Sequence, residues 1–460
     1  MPAKRATPRN RTVTGDTTYD DTIYPSPDDS VTFGEAGSFT GRYLVLMKED
    51  DTSANLKKLQ NSSGLTIAAS SDFNESQDFH NSGYGEEGGI FLEEIGVAIV
   101  NAAPESLSGI SAAVADTAQP EVMAMEPERI CATTGNTGLL AALKAFSAGA
   151  QAAYEHALVA SGGAEAAAEA AAIEFADGFA YTWGLIATGV DHSPHAGHGI
   201  KVAILDTGFD ATHPDFAGRS IVTETFVGQP VGDVVGHGTH CIGTACGSLR
   251  AGTGPRYGVA HGAIIYAGKV LNDNGRGGDG GILAGINWAI REKCPVISMS
   301  LGAPTSPGQR YNEVYEQTAR RALTAGTLIV AAAGNDSRRP GMMAAVGHPA
   351  NCPSIMAVAA VDSSMRIAYF SCGMMHADGG KVDIAGPGVD VRSSWPLPTA
   401  YRSIQGTSMA TPHVAGIAAL FAGSDPILRG RSLWTALVQH VRPLNLPARD
   451  VGGGLVQAPR

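Results

Sequence analysis

A chain of 460 residues, 44% of them hydrophobic, is long enough for two or three domains and can bury a large core. Its formal charge of −12 argues against a nucleic-acid partner, because phosphate backbones are gripped by clustered Lys and Arg. The longest apolar runs, TLIVAAAG (327–334) and VAGIAALFAG (414–423), fall well short of the roughly 20 residues of a membrane-spanning helix, so no membrane partner is expected.

Residues 1–39 carry basic and polar side chains without an apolar stretch, which reads as a disordered tail and not as a secretory signal. The expected compartment is therefore cytoplasmic, with export by another route left open. Six cysteines, irregularly spaced, fit neither a disulfide framework nor a zinc motif, and reduced thiols are the simpler expectation. Residues 40–131 run strand (GRYLVLMK), helix (TSANLKKLQNSSG), one or two strands (GGIFLEEIGVAIVNA), helix (PESLSGISAAVAD) and strand (PEVMAMEPERI), the order of a small α+β split-βαβ domain on an antiparallel sheet. Residues 132–181 are Ala- and Glu-rich and broken at Ser161-Gly162-Gly163, which predicts a linker of two weakly amphipathic helices.

From 182 to 460 the pattern alternates strand and helix. Apolar strands are expected within 199–208, 263–271, 294–302, 326–335 and 354–362, with helical patterns such as GILAGINWAIREK (281–293) and VYEQTARRALTAG (314–326) between them. Near-continuous apolar strands covered by helices on both faces describe an α/β, doubly wound, mostly parallel sheet, whose functional residues gather at the strands' carboxyl ends. Polar residues stand there: Asp206 in ILDTG, His237 in GHGTH, Asn335 in AAAGN, and Ser408 in GTSMATPHVAG at the mouth of an apolar helix. Each alone has a plain structural role as a turn former or helix cap. Together they supply a nucleophile, a base, an orienting acid and an oxyanion donor.

The segments DTGFDATHPDF (206–216), GHGTHCIGT (236–244), SMSLG (298–302), AAAGN (331–335) and GTSMATPHVAG (406–416), in this order, resemble the subtilisin-like serine proteases over about 182–460. The resemblance implies a serine endopeptidase of broad specificity with catalytic Asp206, His237 and Ser408, and an oxyanion hole from the Asn335 side chain and the Ser408 N–H. It implies that peptide or protein substrates add a strand between Ser300-Leu301-Gly302 and Gly275-Arg276-Gly277, with Ala331, Ala332, Ala333 and Gly347 around the pocket of the residue before the cleaved bond. His348-Pro349 matches a position where the family often has a cis proline. His240 is expected to be a packing histidine, and Cys241, beside His237, a small buried hydrophobe whose position suggests sensitivity to mercurials.

The same resemblance makes residues 40–131, with EIGVAIVNAAPE (94–105) and EPERI (126–130), similar to an inhibitory propeptide whose tail enters the active site around CATTGN (131–136). A monomer, autoprocessed or held by this intramolecular inhibitor, is the resulting expectation. Structural Ca2+ is common in the family and Asp215 matches one ligand position, but GSLRAGTGPRYG (247–258) offers few of the six to eight oxygens calcium needs. That site is expected to be lost, leaving no required cofactor. GRGGDG (275–280) superficially fits a dinucleotide fingerprint, yet the acid due about 20 residues later is missing. Two alternatives use the same residues: a peptide ligase or macrocyclase, and a non-catalytic binding scaffold.

Overall fold

In the computed structural model the described residues are 37–48, 52–72, 88–115, 122–133, 174–306, 308–373 and 375–460. The first four strands are β1 (Phe39–Met47), β2 (Ile67–Ala69), β3 (Gly88–Leu92) and β4 (Val97–Asn101), and a long β5 (Val122–Thr133) follows. Helices α1 (Thr52–Ser63) and α2 (Pro104–Ala115) complete the expected split-βαβ order. β1 lies antiparallel between β4 and β5, and β3 is antiparallel to β4, but β2 pairs parallel with β3, so this sheet is mixed at its edge.

Alternation along these strands sorts their side chains. Val45, Met47, Phe91, Ala98 and Val100 pack with Leu59 and Ile110 of the two helices. Leu44, Leu46, Ile90, Leu92, Val97 and Ile99 point the other way, into one cluster with Ile282, Ile286, Tyr315 and Ala319 of the following domain. Each such Leu or Ile contributes about 1.5–3 kcal/mol on burial, so the two domains share a core.

The second sheet is the expected parallel one. Its strands are β6 (Lys201–Asp206), β7 (Ile221–Thr225), β8 (Ile264–Lys269), β10 (Val296–Met299), β12 (Leu328–Ala332), β13 (Met356–Val361) and β14 (Ile384–Pro387), in the order β14-β13-β12-β10-β6-β8-β7. Every pairing within it is parallel. From β6 the chain builds first towards β8 and β7, then towards β10 and beyond, so the order reverses beside β6 and opens a crevice at its carboxyl end. Helices α5 (Asp279–Arg291) and α6 (Glu313–Thr324) cover the face shared with the N-terminal sheet, while α4 (His237–Cys246) and α7 (Thr407–Ser424) cover the other. α7 is apolar all round because it is buried all round.

The domain boundaries shift at three places. Gly37 and Ser38 already bond to Ile130, so the tail ends before 39. β5 runs past 131 to Thr133 and leaves its own domain. Residues 174–181 pack with the second domain, through Phe175 N–H on the Ser363 carbonyl and Asp177 accepting from Trp183 N–H, because capping and apolar contacts outweigh the Ala-rich composition just before them. The tail expected over 1–36 and the helical linker expected over 134–173 lie outside the described residues.

Candidate active site

Asp206 is the last residue of β6 and is buried. Its Oδ1 accepts from the Thr207 N–H (2.7 Å) and from His237 Nδ1 (2.7 Å). That bond fixes the imidazole tautomer and leaves Nε2, buried and without a hydrogen-bond partner, as the basic nitrogen. His237 itself opens α4, not the loop before it. Gly238 after it lies so close to the β6 turn that a Cβ there would come within 2.3 Å of the Gly208 carbonyl oxygen. Burial opposes a charge on His237, but the Asp206 carboxylate outweighs it and raises the imidazole well above its usual range.

Two supporting residues escaped the sequence reading. The N-cap of α4 is Gly236, which has no side chain to cap with. Asp233 substitutes, accepting from Gly236 N–H (2.8 Å), Thr239 N–H (2.8 Å) and Thr207 Oγ1 (2.9 Å), while Thr207 Oγ1 also accepts from Gly238 N–H. The Asp206 turn and the His237 helix are thereby tied to one carboxylate. Lys269, fully buried at the end of β8, donates to the Thr207 carbonyl (2.5 Å) and to Asp273 (2.9 Å). An acid ahead of a glycine cap and a lysine inside an apolar strand are the signals that could have marked them.

Ser408 is the second residue of α7, where first-turn N–H groups have no intrahelical acceptor. Pro412, four residues on, has no N–H to give the Ser408 carbonyl. That carbonyl instead accepts from Ser300 Oγ (2.7 Å) and Cys241 Sγ (3.6 Å), and Ser408 Oγ donates to the Ser300 carbonyl (3.2 Å). Asn335, three residues beyond β12, has its Oδ1 taken by Thr407 N–H (2.9 Å) and Thr407 Oγ1 (3.0 Å). Its Nδ2 is therefore turned towards Gly406, where a Cβ would stand 3.2 Å from Nδ2 and 3.6 Å from Ser408 N. Glycine leaves that space between the two donors open.

The predicted substrate edges are occupied by the chain itself. β5 passes between β9 (Arg276–Gly278) and β11 (Leu301–Gly302), antiparallel to both. Cys131 stands opposite Gly277, Ala132 opposite Arg276 and Gly302, and Thr133 opposite Leu301, with Thr133 N–H on the Gly275 carbonyl (3.0 Å). Two glutamates of β5 cap the helices beneath it: Glu128 accepts from Gly280 N–H at the start of α5 (2.7 Å), and Glu126 from Glu313 N–H at the start of α6 (2.8 Å). The anion at the GRGGDG helix is thus the protein's own carboxylate, not a phosphate.

Ala331 and Ala333 join the core cluster with Leu301 and Val346, and strand alternation turns the Ala332 side chain to the other face. Gly347 does sit beside them, its N–H on the Ala333 carbonyl (2.9 Å), and the His348–Pro349 peptide is cis. His240 is buried, donating from Nε2 to the Val391 carbonyl (2.9 Å) with its ring edge-on to Trp395, and burial pulls its pKa down to about 3. Cys241 Sγ lies 3.8 Å from His237 Nδ1.

Two clusters among the described residues have metal-ligand chemistry. In Asp206–His237–Cys241 the imidazole Nδ1 is already held by the carboxylate. In Cys131–Asp279–His348, His348 Nε2 donates to Asp279 Oδ1 (3.0 Å) and Nδ1 is buried without a partner. A metal on Nε2 would force a proton onto Nδ1 with no acceptor, so this cluster fits a hydrogen-bonded array better than a metal centre.

The crevice at the sheet reversal, the Asp–His bond and the serine at a helix mouth define a subtilisin-like site. The model of the subtilase family matches residues 197–454, and the chain belongs to that family. Subtilisin E of Bacillus subtilis (strain 168) is 41% identical over 236 residues, which cover 50% of this chain and 58% of subtilisin E. Subtilisin of Bacillus pumilus is 40% identical over 236 residues, 50% of this chain and 80% of its own length. A thermostable alkaline protease of Halalkalibacterium halodurans is 39% identical over 267 residues, 57% of this chain and 68% of its own. The chain thus spans little more than half the length of subtilisin E.

Proposed function

We propose that the protein is a serine endopeptidase held inactive by its own N-terminal domain until it cuts itself. The observation that carries this reading is β5, seated as a substrate would be between the two edges, with its register leading to Ser408. Ser408 Oγ attacks the carbonyl of the residue opposite Ser300 while His237 Nε2 takes the hydroxyl proton. The tetrahedral oxyanion accepts from Asn335 Nδ2 and the Ser408 N–H. Collapse breaks the C–N bond, the leaving nitrogen takes the proton from Nε2, and water repeats the cycle to release the acid. Asp206 holds the imidazole and stabilises the imidazolium.

Ser300 lies one position beyond the Leu301–Thr133 pair, so counting one residue past Thr133 predicts self-cleavage between Thr134 and Gly135. The partner of this site is then the N-terminal domain in the same monomer, followed by other polypeptides. Calcium has no evident part at Asp215: its carboxylate already accepts from Tyr257 OH (2.6 Å), Tyr401 OH (2.9 Å) and Gly252 N–H (2.8 Å). Intact-mass analysis of the full chain beside its Ser408→Ala variant tests the reading. A break after Thr134 and peptidase activity in the parent alone are expected. Equal persistence of both chains with no activity, even after trans-proteolysis of the N-terminal domain, would instead indicate a binding scaffold.

A further inference from the structure

The Cys131 side chain, four residues upstream of the proposed cleaved bond, is buried against Asp279, His348 and Tyr315, themselves wholly buried. Cys131 Sγ donates to Asp279 Oδ1 (3.4 Å), and His348 Nε2 donates to the same oxygen (3.0 Å). The other oxygen, Oδ2, accepts the backbone N–H of Arg129 (3.0 Å). The ring of Tyr315 meets His348 edge-on at 4.7 Å between centroids, closing the pocket. This carboxylate stays ionised: burial works against its charge, but His348 and the Arg129 amide hold it below the usual carboxylate range.

A buried charged oxygen wants donors, and leaving it short of one costs more than an ordinary hydrogen bond is worth. The two oxygens read different things. Oδ2 grips a main-chain N–H that any residue but proline provides, whereas Oδ1 keeps one donor in His348 Nε2 and takes its second from the side chain that enters the pocket. A Leu there would overfill a closed space and set methyl groups against a charge, and a Lys or Arg has no outlet to water.

We propose that Asp279, positioned by His348, makes this pocket selective for a short hydrogen-bond-donating side chain, Cys, Ser or Thr, in the substrate residue four positions before the cleaved bond. The inference rests on the peptidase reading above and adds a sequence rule to it. Inside the chain, Cys131 is the residue that the strand register places in this pocket, and it satisfies the rule.

The test uses the self-processed full chain and peptides spanning residues 127–138 with Cys131→Ser, Cys131→Ala or Cys131→Leu. The Cys and Ser peptides are expected to exceed the Ala and Leu peptides about 10-fold or more in kcat/KM, the range for a hydrogen bond to a charged group. In Asp279→Ala enzyme, checked by its melting temperature, the preference should disappear or turn towards Leu. If that variant does not fold, the series on the parent enzyme still decides. Cleavage with Ala or Leu equal to or ahead of Ser overturns this inference alone, while failure to cut any peptide, with casein also left intact, overturns the peptidase reading with it.

Discussion

At the residue scale, the site depends on which atom each neighbour occupies. Thr407 donates its N–H and its Oγ1–H to Asn335 Oδ1, so the amide's donor end is the one left for an oxyanion. Asn335→Ala should lower kcat about 10²–10³-fold with KM little changed, a size taken over from a subtilisin's own oxyanion-hole asparagine. Single-turnover acylation of a peptide ester is the direct readout. For His237 the sign is equally definite. Only the neutral imidazole accepts the Ser408 proton, and Asp206 raises its pKa despite burial. The rising limb of kcat/KM against pH should therefore lie above the ordinary histidine value of about 6.5, and a limb at or below that value would contradict the pairing.

At the scale of elements, β5 is held through helix ends. Glu128, buried, accepts from Gly280 N–H and from Arg42 Nε (2.5 Å), and Thr40 Oγ1 donates to it as well. Glu128→Ala removes a charged cap and leaves Arg42 without its carboxylate. Inhibition of the processed enzyme should weaken about 10-fold or more, read as a shorter lag before peptide hydrolysis; an unchanged lag would mean that the cap carries no docking energy. The strand–helix alternation, the parallel sheet, Asp206 at the end of β6 and Ser408 at the mouth of α7 were legible because apolar periodicity and motif spacing are local. The Asp233 cap, the bracing by Lys269 and the Cys131–Asp279–His348 array were not. Their partners lie far apart in sequence, and only the docking of one domain on another brings Cys131 to Asp279.

For the whole molecule, stability should carry a pH signature of its own. The carboxyl of Asp383, which accepts from Ala357 N–H beside β13, is pushed up to about 7 by burial. A folded-state value above the unfolded one near 3.9 means that the folded chain binds this proton more tightly, so stability falls as pH rises from about 4 to about 7. Asp383→Asn in the Ser408→Ala chain should stabilise by about 1–2 kcal/mol at pH 8 and by nothing near pH 4, as denaturant midpoints would show. β5 also joins one sheet to the edges of the cleft, and this changes character with a single cut. While the chain is continuous, β5 competes from an effective concentration on the order of millimolar, which substrate at micromolar levels cannot match. On the proposed self-cleavage, the same strand would then belong to a separate molecule whose hold obeys mass action. Dilution would become the activating signal, with onset set by how crowded the enzyme is with its own released domains.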